Sequence, residues 1–282
     1  MLDIFADFAL VPLSWWLGCS FVLGIIIGSF LNVYIYRLNT GRSLKGSSHC
    51  LSCDKPLRWY ELFPLLSYLF LRGRCSGCGS WVPVRYFLVE LLTGLLFMAV
   101  TATFLPSVFL IFLGFWLMSV LVIITVYDLY HMIIPDRLVV ILLVIASVAE
   151  FYALVTGLSA LELLYNALAA SAGVLFLFAL WSYSKGRWLG FGDVKLVFPL
   201  GLLVGYSQVF SMLVLAFWVG AIVSLLILGL QKLKKRGQIH LHFLGQELTI
   251  KSEVPFAPFL IAGFLLVYFW SVDVISLITY VP

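Results

Sequence analysis

The sequence predicts an all-α polytopic membrane protein of about eight transmembrane helices, with a cytoplasmic zinc-binding insertion after the first. Three observations support this. The 282-residue chain is 63% hydrophobic and only 11% charged, whereas average globular domains carry about a quarter charged residues. Its mean hydropathy is +1.12, and apolar runs long enough to cross a bilayer recur from end to end. All 17 Lys and Arg residues fall in one of the two alternating sets of loops. The runs are too long, and their alternation too weak, for a transmembrane β-barrel. There is no internal repeat and no low-complexity tract.

Apolar segments are expected at about 12–36, 86–105, 107–127, 137–156, 159–181, 194–206, 208–230 and 255–276. Threading the chain through them places Arg37 to Arg85, Arg137, Lys185 to Lys195, and Lys232 to Lys251 on one side. The other side receives the N-terminus with Asp3 and Asp7, the bends near Pro106, Gly157 and Gly205, and the C-terminus. The positive-inside rule then puts both termini outside and the basic loops in the cytoplasm. The first segment is not read as a cleavable signal peptide, because its leading end is acidic and no small-residue cleavage site follows. The 194–206 segment is short for a span and must tilt, thin the bilayer or lie partly in a cavity.

Taken in order, the first segment ends in Gly28-Ser29-Phe30-Leu31-Asn32-Val33. Its small residues allow close helix approach, and Asn32 can hydrogen-bond between helices. The hydrophilic insertion that follows carries Cys50-x-x-Cys53 and Cys75-x-x-Cys78. Two such knuckles can place four thiolates around one tetrahedral Zn²⁺ of structural type, with Gly77 and Gly79 permitting the tight turn. A pair of redox dithiols is the alternative; a cytosolic loop favours metal over disulfides. His49 is not expected to be a ligand. The apolar stretch Trp59 to Leu71 is expected on the membrane surface or against the bundle. Glu61 within it reads as a solvated acid, while Arg72, Arg74 and Arg85 can face headgroups or an anionic ligand.

Two acids then stand out. Asp128 follows an apolar span and has no capping position or basic neighbour in sequence, and carboxylates at membrane depth are costly and functional by default. Asp136, by contrast, follows Pro135 and suits a helix cap paired with Arg137. Asp193 follows Gly190-Phe191-Gly192, whose glycines let the backbone bend and a peptide come close. Taken alone, Asp193 could be a helix N-cap. The topology puts Asp128 and Asp193 at one membrane depth, where two carboxylates can share a proton and act as base and acid on a peptide bond. In the last cytoplasmic loop, residues 231–254 read as a basic-anchored hairpin, with His240 and His242 on its polar face. Pro255-Phe256-Ala257-Pro258-Phe259 opens the final span as an ordinary helix start.

In their order, these motifs resemble the bacterial type IV prepilin peptidases, also called prepilin leader peptidase/N-methyltransferases. The matching stretches are Gly28 to Val33, the paired CxxC insertion, Leu65 to Leu69, Asp128 to Asp136, Gly190 to Leu196, and Pro255 to Phe259. The resemblance implies a GxGD-type aspartic protease with Asp128 and Asp193 as the catalytic pair. It implies cleavage of prepilins and pseudopilins at the cytoplasmic face of the bacterial inner membrane. It also implies S-adenosylmethionine-dependent methylation of the new N-terminal residue, usually Phe, in the zinc-bearing region. Glu61, Gly73 and Arg74 align with positions implicated there, and Arg74 stands where relatives often have lysine. The expected division is 1–36 first helix, 37–85 zinc insertion and 86–282 protease core, with prepilins and membrane lipids as partners and no nucleic acid. Two other readings are weighed. A coupled transporter predicts midplane acids and a repeat; here the acids lie at boundaries and no repeat is found. A zinc-bearing scaffold predicts that either aspartate is dispensable.

Overall fold

The computed structural model describes residues 11–40, 46, 48–235, 255–274 and 276. Apart from the insertion between Arg37 and Arg85, its described residues form helices joined by short connections, with no β-strand beyond two isolated bridges. In chain order the helices are α1 (Leu13–Arg37), α2 (Leu66–Phe70), α3 (Arg85–Phe104), α4 (Val108–His131), α5 (Asp136–Thr156), α6 (Ala160–Ser184), α7 (Phe191–Val204), α8 (Val209–Lys235) and α9 (Ala257–Trp270). Six of them, α1, α3, α4, α5, α6 and α8, are long and apolar enough to cross a membrane. At 1.5 Å per residue, α7 and α9 reach only about 21 Å, short of a bilayer core of about 30 Å. Large apolar side chains such as Trp116, Phe151, Leu175 and Leu225 point outward, as lipid-facing surfaces require. The expected hairpin at 231–254 gives way to α8 as far as Lys235, and the rest of it lies outside the described residues.

The chain divides into two compact units, Met1–Ile123 and Ile124–Pro282. In the first, α1 packs along α3 through small residues. A Cβ at Gly24 would lie 2.7 Å from the Gly94 Cα, and one at Gly28 would lie 2.8 Å from the Glu90 Cα, so the two backbones touch. Polar ties hold this contact at both ends. Ser20 and Thr101 share a 2.6 Å hydroxyl hydrogen bond, and the Asn32 amide donates to the Tyr86 carbonyl at 3.0 Å. Asn32 thus bonds between helices as its sequence setting predicts.

In the second unit α7 is central, packed by α5, α6 and α9. Val194, Leu196, Val197, Pro199, Leu200 and Gly201 are buried. A short helix enclosed in this way need not match the bilayer thickness, because protein rather than lipid surrounds its ends. Helix α6 starts at a reciprocal cap, in which Ser159 and Glu162 each accept the other's backbone amide.

Candidate active site and metal centre

Asp128 lies inside α4, three residues before its end, rather than after a finished helix. Asp193 is likewise not the helix start. Gly190, with extended backbone, is the cap residue of α7, and Asp193 is its third residue. The Asp193 carboxylate reaches back to accept the Gly190 N–H at 3.0 Å, while the Asp193 N–H donates to the Gly190 carbonyl at 3.2 Å. One oxygen therefore does capping work. Both aspartates are 5% exposed, and they lie within electrostatic reach of one another.

Two contacts position the segments that carry them. A Cβ on Gly192 would stand 3.1 Å from the Ile134 side chain, in the turn that follows α4. The missing side chain lets the first turn of α7 rest against the chain just beyond Asp128. Gly190 differs: it is exposed, and a Cβ there would meet nothing closer than the Asp193 carboxylate at 3.4 Å. From the other direction, the Ala257 N–H at the start of α9 donates to the Asp128 carboxylate. Asp128 Oδ2 is buried and has no hydrogen-bond partner among the described residues. The proline-rich stretch at 255–259 thus does more than open a helix. The family resemblance marked this stretch, but with no charged or metal-ligating side chain there, the residues themselves gave no sign of a contact with Asp128.

Asp136 corrects a second expectation. The cap of α5 is Pro135, and Asp136, the first helical residue, pairs with Lys195 at 2.8 Å rather than with Arg137. Lys195 also sits 5.0 Å from the centre of the Phe191 ring. This exposed bridge ties the start of α5 to the first turn of α7. His131 is exposed and stacks near Tyr127.

In the first unit, Cys50, Cys53, Cys75 and Cys78 converge with all sulfurs within 4.8 Å of one another. A tetrahedral ion with ~2.3 Å metal–sulfur bonds sets sulfurs about 3.8 Å apart, and Cys50 and Cys78 lie 3.9 Å apart. The two knuckles repeat one pattern. The Ser52 and Gly77 amides point at the Cys50 and Cys75 sulfurs at 3.5 and 3.4 Å, and the Asp54 and Gly79 amides donate to the Cys50 and Cys75 carbonyls. The left-handed residue falls to Asp54 (φ 57°) in one knuckle and to Gly79 (φ 70°) in the other. Gly79 is therefore the turn-former, while Gly77 makes room for the Lys55 side chain. The Ser52 amide, above other donors, draws the Cys50 thiol below its ordinary pKa, which suits a thiolate ligand. His49 faces Asp54 at 3.5 Å.

Glu61 is buried, not solvated. Its carboxylate accepts the Arg58 N–H at 2.7 Å and the Ser76 hydroxyl, and lies 3.4 Å from the Lys55 ammonium. Led by the Arg58 amide, these donors pull its pKa down to about 2. Glu61 therefore clamps the 3₁₀ turn Trp59–Leu62 to both knuckles. Trp59, Leu66, Leu69 and Phe70 stay exposed nearby. A cavity of ≈ 880 Å³ lies within this unit, lined by α1, the insertion and the start of α3, and Glu61, Gly73 and Arg74 are all on its wall. Gly73 has φ 66°, and a Cβ would collide with Tyr68 at 2.8 Å. The Arg74 guanidinium lies 4.5 Å over the Trp81 ring.

Residues 22–104 match the bacterial peptidase A24 N-terminal domain, and residues 115–225 match the type IV leader peptidase family. Among similar curated proteins is the prepilin leader peptidase/N-methyltransferase of Pectobacterium carotovorum subsp. carotovorum. It is 32% identical over 258 residues, which is 82% of this chain and 90% of that protein. The protein of the same name from Bacillus subtilis (strain 168) is 30% identical over 262 residues, 92% of this chain and 96% of its own length. The one from Myxococcus xanthus (strain DK1622) is 39% identical over 220 residues, 74% of this chain and 62% of its own. No solved structure matches the chain.

Proposed function

The chain belongs to the type IV leader peptidase family, and from that premise we propose that Asp128 and Asp193 are its hydrolytic pair and that its methyl transfer takes place at the cavity of the first unit. It is a multi-pass inner-membrane enzyme that cleaves the leader peptides from prepilins and N-methylates the cleaved products. The observation that carries the hydrolytic reading is that two buried carboxylates from separate helices lie within electrostatic reach of one another.

Two adjacent carboxylates resist double ionisation and hold one proton between them. The ionised member takes a proton from water as the water oxygen bonds to the scissile carbonyl carbon. The protonated member polarises the carbonyl oxygen, and the C–N bond then breaks with the proton delivered to the leaving amine. Titration belongs to the pair, not to either residue. The unpartnered Asp128 Oδ2 supports this reading, because it leaves an acceptor for the shared proton or the water. Gly190 is the backbone a substrate strand can approach; Gly192 serves the packing of Ile134.

Prepilin and pseudopilin substrates place an apolar helix in the bilayer and a basic leader in the cytoplasm. Their scissile bond then falls at the cytoplasmic boundary, where the sorting of basic loops sets the aspartate pair, with both termini outside. The four cysteines hold a structural zinc, since four sulfurs leave no position open for water. S-adenosylmethionine, when bound, supplies an activated methyl group. The cavity is roomy and partly polar, and Arg74 and Gly73 on its wall are the residues we assign to holding this donor. Glu61 braces that wall, because its acceptors are already engaged.

The decisive test uses purified Asp128→Asn and Asp193→Asn enzymes with a prepilin substrate. Each change should abolish cleavage, a loss of about 10³-fold or more. Cleavage retained in either variant removes the dyad and leaves the scaffold reading in its place.

A further inference from the structure

Resting on the methyl-transfer reading of the first unit, we propose that Glu90 binds the free α-ammonium group of the cleaved pilin and accepts its proton.

Glu90 and Glu61 are the acids on the cavity wall, and their situations are opposite. Glu61 has an ammonium partner in Lys55 and donors on both oxygens. Glu90 sits on α3, only 9% exposed, and receives neutral donors: the Leu65 N–H at 2.8 Å and the Ser29 hydroxyl. Among the described residues no Lys, Arg or His pairs with it. A carboxylate buried in a membrane-spanning helix without a cation is costly and points to a missing positive partner. Here that acid faces a cavity, so a ligand can bring the charge.

The chemistry of the reaction narrows that ligand. Hydrolysis at the head of an apolar helix leaves an α-ammonium at the boundary of the membrane. Glu90 lies five residues into α3, about 7.5 Å along its axis, so its carboxylate suits a cation that arrives on a membrane helix. An ammonium nitrogen has no lone pair to attack with. Transfer of one proton from nitrogen to the Glu90 carboxylate leaves a neutral amine and a neutral carboxylic acid, and frees the lone pair that methylation needs. Ser29 and the Leu65 amide hold the carboxylate in place for this exchange. The cationic groups of the methyl donor are the other source of the same charge. The polar insertion side of the cavity, with Arg74, suits that soluble ligand better.

The test is calorimetric binding to the full-length zinc-loaded protein in nanodiscs. The probes are a short apolar peptide beginning with free Phe, its α-N-acetyl form, and S-adenosylmethionine. The wild-type protein should bind the free-amine peptide at least tenfold more tightly than the acetylated one. Glu90→Gln keeps the volume and an acceptor for the Leu65 amide. It should erase that preference while changing S-adenosylmethionine affinity less than twofold. Equal binding of the two peptides by the wild-type protein overturns the proposal whatever the variant does. So does a variant that loses the methyl donor but keeps the peptide preference. A wild-type enzyme that methylates pilin without preferring the free amine removes Glu90's role alone. One that neither binds the donor nor methylates removes the underlying reading and the proposal with it.

Discussion

Gly192 shows how one absent side chain positions a carboxylate. Its Cα rests against Ile134, with only 3.1 Å available for a Cβ. Gly192→Ala should push the first turn of α7 away from the Asp128 segment and lower leader cleavage by about tenfold, since an ångström of misplacement at a reacting centre costs up to about 10²-fold. Adding Ile134→Ala should restore much of the loss in steady-state cleavage assays, because it vacates the contested space. Glu61 allows a pH prediction. Its folded pKa, about 2, lies below the ordinary 4.5, so its contribution to stability is full above about pH 4.5 and disappears as pH falls through about 2. Thermal melts of wild type and Glu61→Gln should therefore differ at pH 7 and converge towards pH 2. Curves that stay equally separated throughout show that the carboxylate charge is not what clamps the insertion.

At the scale of elements, the insertion and α7 are stabilised by different means. The insertion has little apolar core, and its two knuckles are joined where the four sulfurs meet. Metal binding in such a segment is folding free energy. Chelating the zinc should release one ion per chain, increase proteolysis between residues 48 and 84, and abolish methyl transfer. A zinc-free insertion that resists protease and still methylates contradicts the structural role of the metal. Helix α7 instead derives its stability from enclosure: Leu196, Val197 and Leu200 are fully buried. The Asp136–Lys195 bridge adds little stability by comparison, since exposed pairs contribute about 0–1 kcal/mol. It orients the helix start that carries Asp193.

For the whole molecule, the strongest regularity in the sequence is that threading the chain through the eight expected apolar segments gathers all 17 basic residues on one side. It predicts that single cysteines introduced at residues 107 and 158, in a background lacking the exposed Cys19, react with a membrane-impermeant maleimide in intact cells. Cysteines at residues 137 and 187 should react only after permeabilisation. The opposite pattern reverses the topology and moves the aspartate pair to the outer face.

The class of protein was legible in the sequence because lipid imposes length and polarity on every spanning segment, and charge sorting follows from insertion. The four converging cysteines and the two buried aspartates were also visible, since residues of that chemistry are conspicuous in an apolar chain. What lay beyond the sequence was pairing across long separations. Lys195 rather than Arg137 is the partner of Asp136, Glu61 is a clamp rather than a solvated acid, and the Ala257 amide reaches Asp128. A backbone amide has no sequence signature. A polar side chain's role depends on which helices stand beside it, and only tertiary packing decides that.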